Sequence, residues 1–483
     1  MHQSDLNEIG VNIPLIIDLD GTLIKTDSLH EGLVTSLLKS PASIFRLLPA
    51  LFKGKSFFKH TVTDIVEMSA DIFCYRSSLL SLIEDERKKG RKVLLVTAAN
   101  QRIADNVQSH LQLFDKAQGS NSTLNLKGKN KLIWLKENFP EGFIYAGDHK
   151  ADLPIWKESE AAVLVGQGKT QLNEVKKFSI PYLIIEDEPY SQMREWLRQL
   201  RIHQWAKNLL VFVPLLLAHL ATNIEAVIST FIAFIAFSFV ASGTYIINDL
   251  CDIESDRRHR TKRFRPIAAG TITTQQAVTG CIVLFLLGGF LLAKLSWTTF
   301  LCVSIYVIIT IAYSFKLKKI PLLDVAIIGA LFTIRVIIGS TVNDLPLSPW
   351  LNSFSALFFF SLALSKRHVE VMRMPAAGKE VVGGRGYVHT DWPLTLTLGV
   401  ASSISSVVIM LLFLTQEAMI SAKYSSPNWL LLEPACVFIW ILRIWLLSHH
   451  KKLNDDPVIF AVKDRTSLIL GIIVFISFIL ATY

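Results

Sequence analysis

Residues 248–266 read NDLCDIESDRRHRTKRFRP, and this charged stretch lies between two long apolar runs. It contains four acids and six Lys or Arg residues. A solvated loop that flanks a membrane segment accounts for the basic residues but gives no reason for the acids. A site for metal ions and phosphates accounts for both, because carboxylates hold the cation and guanidinium groups bind phosphate oxygens.

The aspartates of this stretch share a helical spacing. Asp249, Asp252 and Asp256 stand at i, i+3 and i+7, which on a helix places their carboxylates on one face beside Asn248. Oxygen ligands on one face suit Mg²⁺, which commonly joins a few carboxylates to substrate phosphates. We therefore predict a Mg²⁺ site at the three aspartates. The predicted substrate-binding residues of the stretch are Asn248, Arg258, Lys262, Arg263 and Arg265.

The C-terminal part of the chain is a series of apolar runs, whereas residues 1–200 alternate charged and apolar segments as a soluble domain does. A membrane-spanning helix needs about 20 apolar residues. Nine segments reach or approach that length: 208–222, 226–247, 276–293, 297–314, 321–340, 350–365, 394–415, 429–447 and 466–483. We predict an all-α polytopic membrane domain of nine transmembrane helices over residues 208–483.

The connections between these segments differ in basic residues. The loops after segments two, four, six and eight hold eighteen Lys or Arg residues, and the other loops hold two. Basic loops stay in the cytosol, and the first residues, MHQSDLNEIG, do not resemble a signal peptide. We predict a bacterial inner-membrane protein with a cytosolic N-terminal domain and an external C-terminus. The net charge of +9 then reflects topology and phosphate binding, and no nucleic-acid partner is expected.

A transporter is an alternative for a protein with nine such helices. Transporters place ionisable groups near the midplane within inverted repeats, whereas no repeat is visible here and the dense charges lie at helix ends. Arg335, eleven residues after Asp324 within the fifth segment, is the main exception. An intramembrane Arg is a candidate for substrate binding. The other interpretation is a side chain that extends to the outer surface.

The motif NDxxDxxxD at the cytosolic end of the second helix resembles the UbiA superfamily of intramembrane prenyltransferases. The resemblance covers about residues 198–483. It implies that Mg²⁺ binds a prenyl diphosphate at two Asp-rich motifs, on helices two and five. The second motif departs from the family pattern: in YSFKLKKIPLLDVAII, residues 313–328, Asp324 stands alone and Ile328 occupies the place of the second acid. This departure argues against ordinary aromatic prenylation.

The chain instead resembles the decaprenyl-phosphate phosphoribosyltransferase branch of the superfamily. The matching stretches are RIHQWAKN (201–208), DIESDRRHRTKRFRPIAAG (252–270), SKRHVE (365–370) and RGY (385–387). The resemblance implies transfer of a 5-phosphoribosyl group from phosphoribosyl diphosphate to a polyprenyl phosphate. Further predicted substrate-binding residues are Lys207, Tyr313, Lys316, Lys318, Asp324, Arg335, Lys366, Arg367 and Tyr387.

The N-terminal stretch IPLIIDLDGTLI, residues 13–24, reads as an apolar strand followed by acids and a Gly-Thr turn. DxDGT after a strand resembles the first motif of the haloacid dehalogenase (HAD) superfamily. The resemblance implies that Asp18 is the nucleophile that attacks phosphorus and that Asp20 is the general acid and base.

Three later stretches continue the HAD pattern in order. KVLLVTAAN (92–100) supplies Thr97 to bind the phosphoryl group, and LKGKNKLIWL (126–135) supplies Lys131, with Lys129 as the competitor. YAGDHKADLPIW (145–156) supplies two more acids. The implied Mg²⁺ residues of this domain are Asp18, Asp20, Asp148 and Asp152. We predict an α/β Rossmann-like HAD domain over 1–190, with a helical cap near 26–90.

Two further segments are candidates for contact with the membrane surface. Residues 191–207 are predicted to form an interfacial helix between the two domains. Residues 43–58, within the cap, are apolar enough either to touch a membrane surface or to form the core of the cap.

We therefore predict a bifunctional, Mg²⁺-dependent membrane enzyme in which the HAD domain removes the 5-phosphate from the phosphoribosyl lipid. One alternative is a prenyltransferase that acts on an aromatic acceptor such as 4-hydroxybenzoate, and a transporter or scaffold is the other. The sequence leaves homo-oligomerisation open.

Overall fold

The computed structural model describes residues 9–121, 124–166, 169–187, 189–374, 385–420, 423–453 and 457–482. The chain divides into two compact units: unit 1 comprises Met1–Leu200 and Ile246–Gly280, and unit 2 comprises Arg201–Tyr245 and Cys281–Tyr483. The aspartate-rich stretch thus belongs to the same unit as the N-terminal domain. The predicted domain limits at residues 190 and 207 stay predictions.

Unit 1 contains a parallel sheet of six strands. The strands are β1 (Leu15–Ile17), β2 (Val93–Asn100), β3 (Lys116–Ser120), β4 (Ile144–Gly147), β5 (Ala161–Val165) and β6 (Tyr182–Ile185), in the order β3-β2-β1-β4-β5-β6. The central strands are runs of buried apolar residues, as expected for a parallel sheet covered on both faces. This sheet confirms the predicted α/β class of the N-terminal domain.

Helices cover this sheet and form the insertion between β1 and β2. The insertion contains α1 (Ser28–Lys39), α2 (Ile44–Phe52), α3 (Lys55–Ile65) and α4 (Ser77–Lys88). The later helices of the N-terminal part are α5 (Gln101–Leu111), α6 (Lys129–Asn138), α7 (Leu153–Lys157), α8 (Lys169–Val175) and α9 (Gln192–Gln199).

The cap helix α2 has two apolar faces. Leu47 and Ala50 are buried within unit 1, so part of the helix belongs to the core of the cap. Phe45 and Phe52 are 78% and 90% exposed. Exposure of two phenylalanines on one short helix is unusual for a protein surface in water. Residues 43–58 therefore contribute to the core of the cap and also present an exposed apolar face.

The C-terminal part is helical. Its helices are α10 (Val213–Leu217), α11 (Ile224–Cys251), α12 (Ile253–Arg258), α13 (Thr274–Leu292), α14 (Trp297–Phe315), α15 (Leu323–Val342), α16 (Pro349–Met372), α17 (Trp392–Phe413), α18 (Leu432–His449), α19 (Pro457–Lys463) and α20 (Arg465–Thr482). Within the described residues, seven helices are long and apolar enough to cross a membrane: α11, α13, α14, α15, α17, α18 and α20.

The other two predicted spans have a different character. The segment Ile202–Leu217 is apolar but short, and Pro214 stands near the start of its only α-helical turns. The segment 350–365 lies within α16, a 24-residue helix whose last turns carry Lys366, Arg367 and Glu370. The chain is thus a multi-pass membrane protein with seven clear candidate spans.

Helix α15 lies in the interior of unit 2. Most of its residues are buried, among them Asp324 and Arg335. Gly339 permits close packing, because a Cβ atom there would collide with the carbonyl oxygen of Val211. The packing of unit 2 therefore holds two ionisable side chains away from its surface.

Candidate active sites

The carboxyl ends of the central strands meet at one cavity in unit 1. β1 pairs in parallel with both β2 and β4, so the residues after these strands converge at one edge of the sheet. A cavity of about 1030 Å³ lies at this edge. Its lining includes five of the predicted HAD residues: Asp18, Asp20, Lys131, Asp148 and Asp152. The structure therefore brings these five together.

Lys131 is the lysine that reaches the predicted nucleophile. It is buried near the start of α6, with its Nζ 2.8 Å from Asp18 Oδ2 and 2.9 Å from the Tyr145 hydroxyl. Lys129, the competitor, is exposed. The Tyr145 hydroxyl also lies 3.3 Å from Asp18 Oδ2 and 3.2 Å from Asp152 Oδ1. Asp152 therefore helps to position Tyr145 and Lys131 beside Asp18.

Two acids of the cavity have raised pKa values. Burial, together with the negative charge of Asp27, raises the pKa of Asp20 to about 7. Burial, together with the negative charge of Asp18, raises the pKa of Asp148 to about 7. An acid that titrates near neutral pH can give and take a proton efficiently, which fits the predicted role of Asp20.

The cavity fits a Mg²⁺ ion. No three His, Cys, Asp or Glu side chains in the described ranges form a complete ligand set, but Mg²⁺ usually takes one or two carboxylates together with water and phosphate oxygens. The negative charges of Asp18 and Asp148 repel each other. A cation bound between them would relieve this repulsion. Gly21, at φ +75°, leaves room for the Asp148 carboxylate, since a Cβ atom there would collide with it. Asp18 and Asp148 would hold the ion, and its charge would offset that of the phosphoryl group.

Mg²⁺ binding at this cavity is expected to weaken as the pH falls through about 7. Asp148, one of the two residues that would hold the ion, carries a proton below that pH, and a bound cation must displace it. Calorimetry on an Asp249→Asn protein, which removes the second predicted Mg²⁺ site, should show the affinity fall by up to about tenfold per pH unit for each displaced proton. Asp148→Asn should flatten this dependence, and equal affinity at about pH 6 and pH 8 would refute the assignment.

Thr97 lies apart from the cavity lining. Its side chain is fully buried, and its hydroxyl accepts a hydrogen bond from the Ala99 N–H at 3.0 Å. The cavity is lined instead by the following residues, Ala98, Ala99 and Asn100. The role of Thr97 in phosphoryl binding stays a prediction.

Lys59 and Tyr145 are cavity-side residues that the motifs did not indicate. Lys59 reaches from cap helix α3 to the carbonyl oxygen of Ala98 at 2.8 Å, and burial lowers its pKa. Tyr145 lies in β4, three residues before the predicted acid Asp148. Neither has a sequence signal, because each acquires its role from contacts with another part of the fold.

The first aspartate-rich motif also lies in unit 1. α11 ends at Cys251, Asp252 forms the break, and α12 begins at Ile253. The Arg265 guanidinium lies 3.2 Å from Asp249 Oδ1 and 2.6 Å from Asp256 Oδ2. Two carboxylates that converge on one cationic group are suitably placed to hold a cation such as Mg²⁺. The structure therefore brings Asp249, Asp256 and Arg265 together.

Other residues of this motif have their own contacts. The Asn248 side chain donates to Asp252 Oδ2 at 3.3 Å, and Asp249 accepts a hydrogen bond from Gln199 at 2.9 Å. Lys262 and Arg263 are exposed. Their predicted contacts with substrate stay predictions.

Two basic residues of the motif bind acids of the HAD domain. The Arg257 guanidinium forms a buried, bidentate ion pair with Glu31 on α1, at 2.5 and 2.9 Å. Arg258, predicted to bind substrate, lies 3.2 Å from Asp71. Arg257 thus holds the motif against the HAD domain. A role of Arg258 in substrate binding stays a prediction.

The residue of the second motif, Asp324, is the centre of a polar cluster in unit 2. Its side chain is fully buried; Oδ2 accepts a hydrogen bond from Arg367 at 2.7 Å, and Oδ1 accepts one from the Tyr387 hydroxyl at 2.6 Å. Arg367 and Arg385 both pair with Glu370, at 2.6 and 3.1 Å. Three predicted residues, distant in sequence, therefore meet here.

The backbone before Asp324 is strained. Leu322 has φ +65°, a conformation that is costly for a side chain of this size. Its N–H donates to the Tyr387 hydroxyl at 2.7 Å. Tyr387 thus fixes both the carboxylate of Asp324 and the turn that precedes it, and such strain is commonly found at functional sites.

The other predicted residues of unit 2 lie on separate elements. Lys316 is exposed at the end of α14, and Tyr313 lies half-buried one turn earlier. Lys366 is half-buried on α16, as is Lys318 after α14. The Nζ of Lys207 lies 5.5 Å from the centre of the Phe332 ring. Their contacts with phosphate stay predictions.

Arg335 lies in a buried cage. Its Nε donates to Asn208 Oδ1 at 3.0 Å, and its guanidinium stands 5.0–5.3 Å from the ring centres of Phe237, Tyr306 and Phe332. Aromatic faces attract a cation in this way. This buried position does not fit a side chain that extends to the outer surface. The sequence patterns did not indicate Asn208, at the end of the RIHQWAKN stretch, as the hydrogen-bond partner of Arg335.

Comparison with known proteins identifies both domains. Residues 209–478 match the UbiA prenyltransferase family, and residues 15–157 match the haloacid dehalogenase-like hydrolases. The chain belongs to the UbiA prenyltransferase family and carries an N-terminal HAD-like hydrolase domain. Both resemblances drawn from the motifs are thereby confirmed.

Similar proteins differ in how much of the chain they cover. The uncharacterized protein y4nM of Sinorhizobium fredii is 48% identical over 477 residues, 99% of this chain and 92% of that protein. The decaprenyl-phosphate phosphoribosyltransferase of Mycolicibacterium smegmatis is 34% identical over 215 residues, 42% of this chain and 66% of that protein. A solved UbiA homologue from Archaeoglobus fulgidus, bound to DMAPP and Mg²⁺, is 16% identical with a TM-score of 0.46, covering 59% of this chain and 97% of that one.

Proposed function

We propose that the chain transfers a 5-phosphoribosyl group from phosphoribosyl diphosphate to a polyprenyl phosphate, and that the HAD domain then removes the 5-phosphate from the lipid product. The observation that carries the transfer is the environment of Asp324. This single acid of the second motif is already neutralised by the buried Arg367, and Lys316 and Lys318 precede it in the chain. The second motif is therefore suited to a donor with an additional phosphate rather than to a second metal ion.

The similarity to a decaprenyl-phosphate phosphoribosyltransferase supports the same substrate class. In the transfer, an oxygen of the lipid phosphate bonds to C1 of the ribose while the bond from C1 to the diphosphate breaks. Asp249 and Asp256 would hold Mg²⁺, which supplies positive charge against the leaving diphosphate. Arg265, which contacts both carboxylates, is assigned to a diphosphate oxygen.

The HAD domain supplies the second reaction. Asp18 attacks the phosphorus of the 5-phosphate and displaces the ribose oxygen, which takes a proton from Asp20. Water then attacks the phosphoryl group on Asp18, Asp20 takes the water proton, and inorganic phosphate leaves. Lys131, 2.8 Å from Asp18, offsets the negative charge in both steps.

The proposed topology has nine membrane-spanning segments, the seven clear candidates together with Ile202–Leu217 and the apolar part of α16. The excess of basic residues in alternate loops supports a cytosolic N-terminal domain and an external C-terminus. Both proposed reactions then face the cytosol.

Prenyl transfer to an aromatic acceptor is the second candidate. The family match and the complete first motif favour it. The two candidate reactions attach different water-soluble compounds to a lipid: phosphoribosyl transfer attaches the ribose, and prenyl transfer attaches the aromatic acceptor.

The two candidates can be compared in matched assays with the purified chain, Mg²⁺ and detergent. One assay contains decaprenyl phosphate and phosphoribosyl diphosphate labelled in the ribose; the other contains a polyprenyl diphosphate and labelled 4-hydroxybenzoate. We expect label to enter the organic phase in the first assay only. Label in the second assay alone would establish prenyl transfer and refute the proposal.

A further inference from the structure

One wall of the HAD cavity comes from outside the segment that matches the HAD family. Thr273, Thr274 and Gln275, which follow the first aspartate-rich motif, line the cavity together with Asp18 and Asp148. These residues belong to unit 1, the same compact unit as the HAD domain. The motif segment therefore helps to shape the space in which the HAD reaction takes place.

This wall is held firmly in position. The buried Arg257–Glu31 ion pair anchors the segment to α1, and the Cys74 thiol lies 2.9 Å from the carbonyl oxygen of Ala268. Gly270 packs directly against Lys25 and Thr26, since a Cβ atom there would lie 3.2–3.3 Å from their side chains. Lys25 and Thr26 also line the cavity.

Two hydroxyl groups of the wall have unmet hydrogen-bonding capacity. Thr26 and Thr274 are 3% and 4% exposed, and within the described residues neither Oγ1 has a hydrogen-bond partner. A buried hydroxyl without a partner is destabilising, so such groups are normally satisfied. Both residues line the same cavity, where a polar group bound against this wall would supply the partner.

The same wall contains the N-terminus of a long helix. α13 begins at Thr274 and has 19 residues. Thr273 caps it, because its hydroxyl accepts the Gln276 N–H at 3.3 Å while its N–H donates to the Gln276 side chain at 3.0 Å. The N–H groups of Thr274 and Gln275 have no partner within the helix, and this end of a helix attracts anions.

We propose that Thr26, Thr274, Lys25 and the N-terminus of α13 form a second anion-binding subsite in the HAD cavity. The HAD substrate then carries two acidic groups: a phosphate monoester, which Asp18 attacks, and a second phosphate, which the subsite binds. The hydrolysis consumes one water and releases one inorganic phosphate, while the second phosphate stays on the product. This inference deepens the proposed function, on which it rests for the identity of the substrate, because a 5-phosphoribosyl group joined to a lipid phosphate has both groups.

The test compares two phosphatase substrates of the purified full-length chain. Ribose 1,5-bisphosphate has a second phosphate, and ribose 5-phosphate lacks it. For the wild-type chain we expect kcat/KM to be at least about tenfold higher for the bisphosphate, the effect of hydrogen bonds to a charged group. Equal values would overturn the proposal without any need for a variant.

The Thr274→Ala variant should lose most of this preference, mainly through a higher KM for the bisphosphate, and Thr274→Ser should keep it. Thr61→Ala is the matched control, because Thr61 lies on cap helix α3 outside the cavity lining and its hydroxyl donates to the Phe57 carbonyl oxygen. An equal loss on both substrates for Thr274→Ala would mean a structural role and would overturn the proposal.

A third assay arm separates the two sources of such a substrate. The phosphatase is given the chemically prepared 5-phosphoribosyl ester of a polyprenyl phosphate in detergent. If the enzyme prefers this lipid to ribose 5-phosphate and the preference depends on Thr274, the natural substrate is the lipid. If it prefers only the soluble bisphosphate, the natural substrate is a free sugar phosphate. The latter result would refute the proposed pathway but would leave the subsite intact. Failure of the proposed function and failure of the subsite are therefore distinguishable.

Discussion

An Asp249→Asn variant is expected to lose phosphoribosyl transfer by about a hundredfold or more, the scale on which removal of a charge-stabilising group slows an enzyme. Asp249 is buried at the end of α11 and shares Arg265 with Asp256. The substitution keeps the size of the side chain but removes the negative charge that would attract Mg²⁺. It also weakens the attraction that holds the Arg265 guanidinium at this point. The measurement is transfer of labelled ribose to decaprenyl phosphate at saturating Mg²⁺.

Glu254→Gln is the matched control for this variant. Glu254 lies in the same segment, but its carboxylate pairs with Lys39 at 2.7 Å, and its side chain is partly exposed. We expect its transfer rate to stay within about twofold of wild type, because exposed ion pairs contribute little. A wild-type rate for Asp249→Asn would remove the first motif from the mechanism.

An Asp18→Asn variant is expected to lose phosphatase activity by at least about a thousandfold, because removal of a covalent nucleophile has effects of that size or larger. The carboxylate accepts the Leu19 N–H at 2.8 Å and lies 2.8 Å from the Nζ of Lys131. An asparagine keeps the first contact, but its amide is a much poorer nucleophile. Phosphate release from ribose 1,5-bisphosphate measures the loss.

The same variant should still transfer phosphoribosyl groups, so the 5-phosphorylated lipid is expected to accumulate. Asp64→Asn is the control, since Asp64 lies on cap helix α3 and pairs with Arg102 outside the cavity lining. Phosphatase activity that survives in Asp18→Asn would show that another residue is the nucleophile.

Local patterns in the sequence were enough to predict the parts of each site that lie next to one another in the chain. The strand β1 with Asp18 after it, and the order of Lys131 and Asp148, follow from short apolar runs and their polar ends. Helical spacing likewise placed Asp249 and Asp256 near each other, although the structure breaks the helix at Asp252 between them. These features depend on a few neighbouring residues, so a single sequence contains them.

Contacts between distant segments were not predictable in the same way. Nothing near Arg257 indicates a partner on α1, and nothing near Thr274 indicates a cavity at the carboxyl end of β1. Asp324 was expected at a phosphate site, but its pairing with Arg367 and Tyr387 depends on how helices of unit 2 pack. The described residues contain seven clear spans where nine were predicted. Pro214 shortens one predicted helix, and the polar last turns of α16 reduce the apolar character of another.

One chain is proposed to perform both reactions in sequence. Phosphoribosyl diphosphate with tritium in the ribose and radioactive phosphorus in the 5-phosphate tests it directly, with decaprenyl phosphate as acceptor. We predict that tritium enters the lipid in both the wild type and Asp18→Asn, and that the radioactive phosphorus stays with it only in the variant. Lipid that contains no tritium in either protein, or that keeps the phosphorus label in the wild type, would refute the proposed pair of reactions.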